Sequence, residues 1–285
     1  MTRAADALAA LRERLHAISP TAALDAELLL AGVLGVGRAG IAASPLRELD
    51  PEQLAALDSL ARRRLAGEPV AYLIGRRDFW SLELEVTPDV LVPRPETELL
   101  VDLALAAIAR TARPAVLDLG TGSGAIAIAI ASERKDAMVT ATDVSLTALD
   151  VARRNADRHG MRNIRFFQGS WYEPLAGERF DAIVSNPPYV ESGDTALAAL
   201  AHEPRLALVA GPDGIEAIAA VCAGAGAHLV RGGRLFFEHG ADQGEASRNL
   251  AMAAGLVGVE THRDLAALER VTSGAMPREA LELAH

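Results

Sequence analysis

Two short stretches of the chain carry residue types that can do chemistry. The first is Asn186-Pro187-Pro188-Tyr189, which cuts off the apolar run FDAIVS. Proline has no N–H and restricts the residue before it, so two in a row make a stiff, extended loop with free carbonyls. Such a loop is a hydrogen-bond acceptor surface. The second is Gly120-Thr121-Gly122-Ser123-Gly124, which follows the apolar LDL and opens an Ala- and Ile-rich segment. Glycines at a strand-to-helix turn allow tight turning and close approach of backbone to a ligand. Asp143 closes the next apolar run, about 20 residues on, where a carboxylate can accept from a ribose hydroxyl.

The glycine stretch alone is ambiguous, because Gly120, Gly122 and Ala125 also satisfy the relaxed dinucleotide fingerprint. Asp118, just before the glycines, tips the reading. A carboxylate at a strand end suits a cationic ligand better than a pyrophosphate. S-adenosylmethionine brings an ammonium and a sulfonium and no phosphate.

These groups need a scaffold. From Pro114 the chain alternates strand and helix: AVLDLG, GAIAIAIASER, AMVTATD, SLTALDVARRNADRHG, NIRFFQG, FDAIVSN, DGIEAIAAVCAGAGAHLV, RLFFEHG, ADQGEASRNLAMAAG, then GVETHRD and ERVTSGAMP. Ser145 is the expected cap of one helix and Gly160 its stop. This rhythm predicts an α/β fold, a mostly parallel, doubly wound sheet covered on both faces. Ligands in such sheets sit at the carboxyl ends of the strands, near the switch point.

Residues 1–75 read instead as a small helical domain. DPEQLAALDSLARRRLAG has Asp50 as N-cap, Pro51 at the first helical position and Gly67 past the end; SPTAALDAELLLAGVLG offers Thr21 and Gly35 in the same roles. Between the two, RDFWSLELEV and DVLVP alternate apolar and polar around Thr87-Pro88-Asp89, which predicts a β-hairpin turning there. The expected division is a helical substrate-docking domain, 1–75; a β-hairpin linker, 76–95; and a Rossmann-like catalytic domain, 96–285. Pro95 is expected to open the first helix of that domain.

Composition excludes several classes. Half of the residues are hydrophobic, as in a folded globule, and the formal charge is −10. An acidic chain is a poor fit to non-specific duplex binding. Arg62, Arg63, Arg64, Arg76 and Arg77 cluster, yet residues 1–90 carry 10 Arg against 13 Asp and Glu, so a solvated face is expected there. The single cysteine, Cys222, rules out a disulfide within the chain and reads as a small buried hydrophobe. The seven His include no H-x-x-x-H pair, so no metal is expected. The charged start is unlike a signal peptide, and no apolar run reaches the ~20 residues of a membrane span. A soluble, cytoplasmic protein is the expectation.

DLGTGSG together with NPPY resembles the class I S-adenosylmethionine-dependent amino-methyltransferases that act on planar NH2 groups. Further pieces narrow this. VTPDVLVPRPETELLV, HEPRLALVAGPDG and FFEHGADQG, in that order behind a helical N-terminus, are similar to the HemK/PrmC family of protein-glutamine N5-methyltransferases. The resemblance covers nearly the whole chain. It implies methylation of the glutamine in the Gly-Gly-Gln motif of class I peptide chain release factors, with S-adenosyl-L-homocysteine as the second product. It implies that Gly120 to Gly124 (with Thr121 and Ser123) cradle the methionine moiety, that Asp143 takes the ribose, that Trp171 lies beside the adenine and that Asn186 also contacts the cofactor. Asn186, Pro187, Pro188 and Tyr189 would receive the glutamine. The Asn186 side-chain and Pro187 backbone carbonyls would accept its N–H bonds, and the Tyr189 ring would pack on the amide. Arg94 and Glu96 could tie the domains together; Glu203 and Arg205 could close over the site or contact the partner, and simple loop structure is an equal alternative. His202 departs from the family, which often has an aromatic residue there. The expected partner is a release factor, with no stable nucleic acid, no membrane and a monomeric state. Alternatives are a ribosomal-protein glutamine methyltransferase, an adenine-N6 nucleic-acid methyltransferase, an inactive S-adenosylmethionine-binding scaffold, or a nicotinamide-dependent oxidoreductase.

Overall fold

Apolar runs that are buried on both faces favour parallel strands with helices on each side. The computed structural model has this arrangement, and it describes residues 2–278. The chain divides into two compact units, the first ending at Arg76 and the second beginning at Arg77.

The first unit holds helices α1 (Ala4–His16), α2 (Ala22–Leu34), α3 (Arg38–Ala43), α4 (Pro51–Leu65) and α5 (Val70–Ile74), with a two-residue pairing of β1 (Thr2–Arg3) and β2 (Glu48–Leu49). Leu11, Leu15, Leu29, Leu30 and Leu57 form its core. α4 starts as expected. The Asp50 carboxylate accepts from Gln53 N–H at 2.8 Å and the Gln53 side chain accepts from Asp50 N–H at 3.2 Å, a capping box that contributes about 1 kcal/mol. Thr21 precedes α2 without a capping hydrogen bond, and Gly35 ends it with φ +62°. The arginine cluster is engaged: Arg62 pairs with Asp58, Arg63 with Glu68 and Arg64 with the buried Asp25.

The second unit opens with a hairpin, β3 (Arg76–Phe79) and β4 (Leu82–Glu85). Its turn is Trp80-Ser81, both with positive φ (52° and 59°), and not the Thr87-Pro88-Asp89 expected from sequence. Residues 90–93 form no second strand. Thr87 and Asp89 satisfy each other locally, the Val90 N–H donates to Thr87 O at 3.1 Å and the Val92 N–H donates to the Glu203 carboxylate at 3.1 Å, so these groups are engaged outside any ladder. Phe79 and Leu84 are buried in the apolar layer of this unit.

A short 3-10 turn, Pro95–Thr97, then leads into α6 (Glu98–Ile108). Strands β5 (Ala115–Leu119), β6 (Met138–Asp143), β7 (Ile164–Gln168), β8 (Phe180–Ser185), β9 (Leu229–Glu238), β10 (Val257–Arg263) and β11 (Glu269–Ala275) make one sheet in the order β10-β11-β9-β8-β5-β6-β7. β9, β8, β5, β6 and β7 are parallel; β11 runs antiparallel to both neighbours. Helices α7 (Ala125–Glu133), α8 (Leu146–Arg158), α9 (Glu216–His228) and α10 (Gly244–Ala253) complete it. Strand periodicity divides the core. Val116, Val139, Ala182 and Val184 face α6 and α7, whereas Leu117, Leu119, Ile183 and Phe237 face α9 and α10. Cys222 on α9 is buried in the second layer, where burial pushes its thiol up to about 12. It is the inert hydrophobe that its context implied.

The topology sets the site. β5 pairs with β6 on one side and β8 on the other, so the order reverses at β5. Leu119 is level with both Thr142 and Ser185. Gly120, Asp143 and Asn186 therefore leave the sheet side by side at its carboxyl edge.

Candidate active site

The glycine loop is tied down from below. The Thr142 carbonyl accepts from the N–H groups of Gly120 (2.9 Å) and Thr121 (3.0 Å), and the Thr121 hydroxyl donates to Asp118 Oδ2 at 2.6 Å. Gly120 and Gly124 have φ of +71° and +83°, which L side chains rarely adopt. A Cβ on Gly124 would also meet Ile128 Cδ1 at 3.0 Å and Ala152 Cβ at 3.2 Å, so α7 and α8 close only on glycine. Asn155 of α8 fixes the loop from the far side. Its amide donates to Ser123 O and Glu85 O, both at 2.9 Å, and accepts from Glu85 N–H at 2.7 Å.

Above the loop lies a cavity of about 630 Å³, a usual size for a small-molecule site. Gly120 to Ser123, Asp143, Trp171, Asn186 and Pro188 line it, so the structure gathers these expected residues in one place. Gly124, Pro187 and Tyr189 adjoin it without lining it. Trp171 has a left-handed backbone (φ 48°), its carbonyl accepts from the Thr142 hydroxyl at 3.1 Å, and its ring lies over Gly120. The Asp143 carboxylate accepts from Gly122 N–H and Ser145 N–H, each at 2.9 Å. Burial raises its pKa above the ordinary carboxylate range, and these backbone bonds oppose that rise.

Asp118 needs correction. It is fully buried and does not line the cavity, so it does not face a ligand. The acids that do are Asp89, Asp143 and Glu216. Burial pushes the Asp118 carboxyl up to about 7, against the hydrogen bonds from Thr121 and Ala127. The folded chain thus holds a proton that the unfolded chain releases near the ordinary carboxylate pKa. Its contribution to stability is full below about pH 4 and is lost as pH rises through about 7. Asp118→Asn is expected to flatten this fall. Urea midpoints of wild type and variant at about pH 4.5 and about pH 7.5 give the check; parallel shifts in the two proteins would contradict it.

The Asn-Pro-Pro-Tyr loop is held by residues that sequence reading did not select. Asn186 Nδ2 donates to Thr97 Oγ1 at 3.1 Å, Thr97 donates to Glu238 Oε2 at 2.6 Å, and the Tyr189 hydroxyl donates to Glu238 Oε1 at 3.0 Å. Asn186 Oδ1 is buried and has no hydrogen-bond partner among the described residues. The available signal for Glu238 was an acid inside the apolar run RLFFEHG, since carboxylates are seldom buried without a task. Thr97, in a helix start, gave none. Arg94 pairs with Glu203 of the loop that follows the prolines, so its partner lies in its own unit rather than in the helical domain. Arg205 and His202 are exposed.

The lining fits a cationic ligand. Among the described residues Arg94 is its single Lys or Arg, already paired with Glu203, against three carboxylates. A pyrophosphate would find no free guanidinium or ammonium there. A Rossmann-like sheet, with this glycine loop and Asn-Pro-Pro-Tyr at its switch point, defines a class I S-adenosylmethionine-dependent methyltransferase.

Comparison with known proteins agrees. The Methyltransferase small domain model matches residues 96–211 and the PrmC N-terminal domain model residues 6–75. The chain is 50% identical to a release factor glutamine methyltransferase of Burkholderia pseudomallei, over 91% of this chain and 94% of the relative. It is 46% identical to that of Coxiella burnetii, with the same coverage. The fold is also similar to a methyltransferase from Pyrococcus furiosus (TM-score 0.54, 21% identity, 77% of this chain and 99% of that one). The chain belongs to the release factor glutamine methyltransferase family.

Proposed function

We propose that this enzyme transfers a methyl group to N5 of the glutamine in the Gly-Gly-Gln motif of class I peptide chain release factors. The observation that carries the reading is Asn186 Oδ1, a buried acceptor beside the glycine loop that has no partner among the described residues. An unpaired buried carbonyl costs about 1–3 kcal/mol, a cost removed when a substrate N–H arrives.

S-adenosylmethionine, when bound, supplies an electrophilic methyl on its sulfonium. Asp143 takes the ribose hydroxyls, the backbone of Gly120 to Gly124 cradles the methionine portion, and Trp171 flanks the adenine. A side-chain amide is a poor nucleophile because its lone pair is delocalised. Asn186 Oδ1 and the Pro187 carbonyl accept the two N–H bonds of the glutamine amide and favour the positive charge that grows on its nitrogen. As the C–N bond forms the S–CH3 bond breaks, S-adenosyl-L-homocysteine is left, and one of the two N–H protons is lost to solvent. The prolines keep these carbonyls in one geometry, and positioning of this kind lowers the barrier further. Pro188 completes the wall, and Tyr189 anchors the loop through Glu238. The Tyr189 ring packs against the apolar layer that holds Leu117 and Phe237 and does not line the cavity, so its packing on the substrate amide rests on the family resemblance alone.

The helical unit docks the release factor. The enzyme works as a cytoplasmic monomer and holds no stable nucleic acid, no membrane and no metal. The net charge of −10 supports the nucleic-acid part of this reading, and no helix among the described residues is long and apolar enough to cross a membrane. Calorimetry with S-adenosylmethionine and with NAD, followed by labelled-methyl transfer to a release factor, a ribosomal-protein extract and adenine-containing DNA, tests the whole reading. Binding of S-adenosylmethionine and label on the release factor alone are expected. Affinity for NAD alone, or label on DNA, would overturn it.

A further inference from the structure

An Asn side chain can present either its carbonyl or its NH2 to a substrate, and the two are nearly the same shape. Something must choose between them. If Asn186 turned its NH2 toward the substrate, donor would face donor. The neighbours of Asn186 contain a device that makes the choice.

Glu238 is the fixed end. It lies at the carboxyl end of β9, is 1% exposed, and accepts from two hydroxyls, Thr97 on Oε2 and Tyr189 on Oε1. A carboxylate cannot donate, so the Thr97 hydrogen is committed to Glu238. The Thr97 oxygen is then left as an acceptor, and only the NH2 of Asn186 can satisfy it. Oδ1 must therefore point away from Thr97, which is where it is found without a partner. Burial, with a smaller push from the Glu96 carboxylate, raises the Glu238 pKa above the ordinary range; its two hydroxyl donors and nearby Arg270 oppose that rise and favour the ionised form that this polarity needs.

We propose that Glu238 and Thr97 are positioning residues that fix the polarity of the Asn186 amide, so that a carbonyl and not an NH2 meets the substrate nitrogen. The inference rests on the proposed reading of Asn186 as the acceptor. Chains of hydrogen bonds in a low-dielectric interior polarise and stiffen one another, which suits this role. Glu238 also acts on both ends of the loop at once, through Thr97 on Asn186 and directly on Tyr189. A change at this one carboxylate should be felt along all four residues.

The test uses the full chain, S-adenosylmethionine and an unmodified release factor, with Thr97→Val, Thr97→Ser and Glu238→Gln. Valine keeps the shape of threonine and removes both hydrogen bonds. Glutamine can donate to Thr97, which frees the threonine hydrogen to point at Asn186 and reverses the amide. Both are expected to lower kcat by about 10²-fold. KM for the release factor and the Kd of S-adenosylmethionine should stay within about threefold, and Thr97→Ser should restore kcat to a similar margin. Solvent exchange of the Asn186 side-chain NH2 protons, read by NMR, should quicken in Thr97→Val whatever the substrate proves to be. Wild-type kcat in both Thr97→Val and Glu238→Gln would overturn the inference, as would unchanged NH2 exchange or a loss that serine fails to rescue. Wild-type enzyme that leaves the release factor unmethylated would overturn the proposed function instead, and the exchange measurement would still decide the relay.

Discussion

Asn186→Ala is expected to lower methyl transfer by about 10²–10³-fold while S-adenosylmethionine binds nearly as well as to wild type. The substitution removes the acceptor that has no other partner and leaves Asp143, the glycine loop and Trp171 in place. The Pro187 carbonyl remains, so some of the acceptor surface survives and a residual rate should be measurable. Thr97 keeps its bond to Glu238 but loses the Asn186 donor. The loss should therefore fall on kcat and spare KM. Steady-state kinetics with calorimetry on the same preparation separates the two. Turnover near wild type would mean that Asn186 is not the acceptor.

Gly214→Ala is expected to destabilise the protein by about 2–5 kcal/mol, combining left-handed backbone strain with overpacking, and to lower kcat at least tenfold. Gly214 has φ +69°, and a Cβ there would sit 2.6 Å from the Tyr189 carbonyl oxygen and 3.2 Å from Glu191 N. Both are backbone atoms, and the Tyr189 carbonyl is also held by Gln243 Nε2 at 3.0 Å. Relief needs a shift of backbone, either at residue 214 itself or in the Asn-Pro-Pro-Tyr loop and the residues that follow it. Gly160→Ala supplies the comparison. It shares the backbone angle, φ +67°, but nothing lies within 4 Å of its added Cβ. It should cost only the strain of about 1–2 kcal/mol and leave kcat intact. Equal losses of stability and activity in the two variants would contradict the steric account.

Much of the scaffold was legible because it is encoded locally. Alternating apolar runs gave the strands and helices of the sheet, and Asp50, Ser145, Gly35 and Gly160 marked helix ends that the structure reproduces. Gly120 to Gly124, Asp143 and Asn186 were legible because a parallel sheet brings strand ends to one edge. What escaped was set by contacts distant in sequence. Trp80-Ser81 carries no glycine or asparagine to announce a left-handed turn, whereas Thr87-Pro88-Asp89 has the composition of a turn and lies past the hairpin. Asn155 reads as one more polar position on an amphipathic helix until β4 and the glycine loop close around it. Asp118 reads as a ligand-facing acid, but strand alternation turns it beneath the loop it supports. Thr97 and Glu238 are 141 positions apart and acquire a task only when β9 lies beside β8.

The most direct measurement is mass spectrometry of the Gly-Gly-Gln peptide after incubation of the purified enzyme, S-adenosylmethionine and an unmodified release factor. One methyl, located by fragmentation on the glutamine side-chain amide and absent when Asn186→Ala replaces wild type, is the predicted result. An unmodified glutamine, or a methyl on any other residue, would contradict the account.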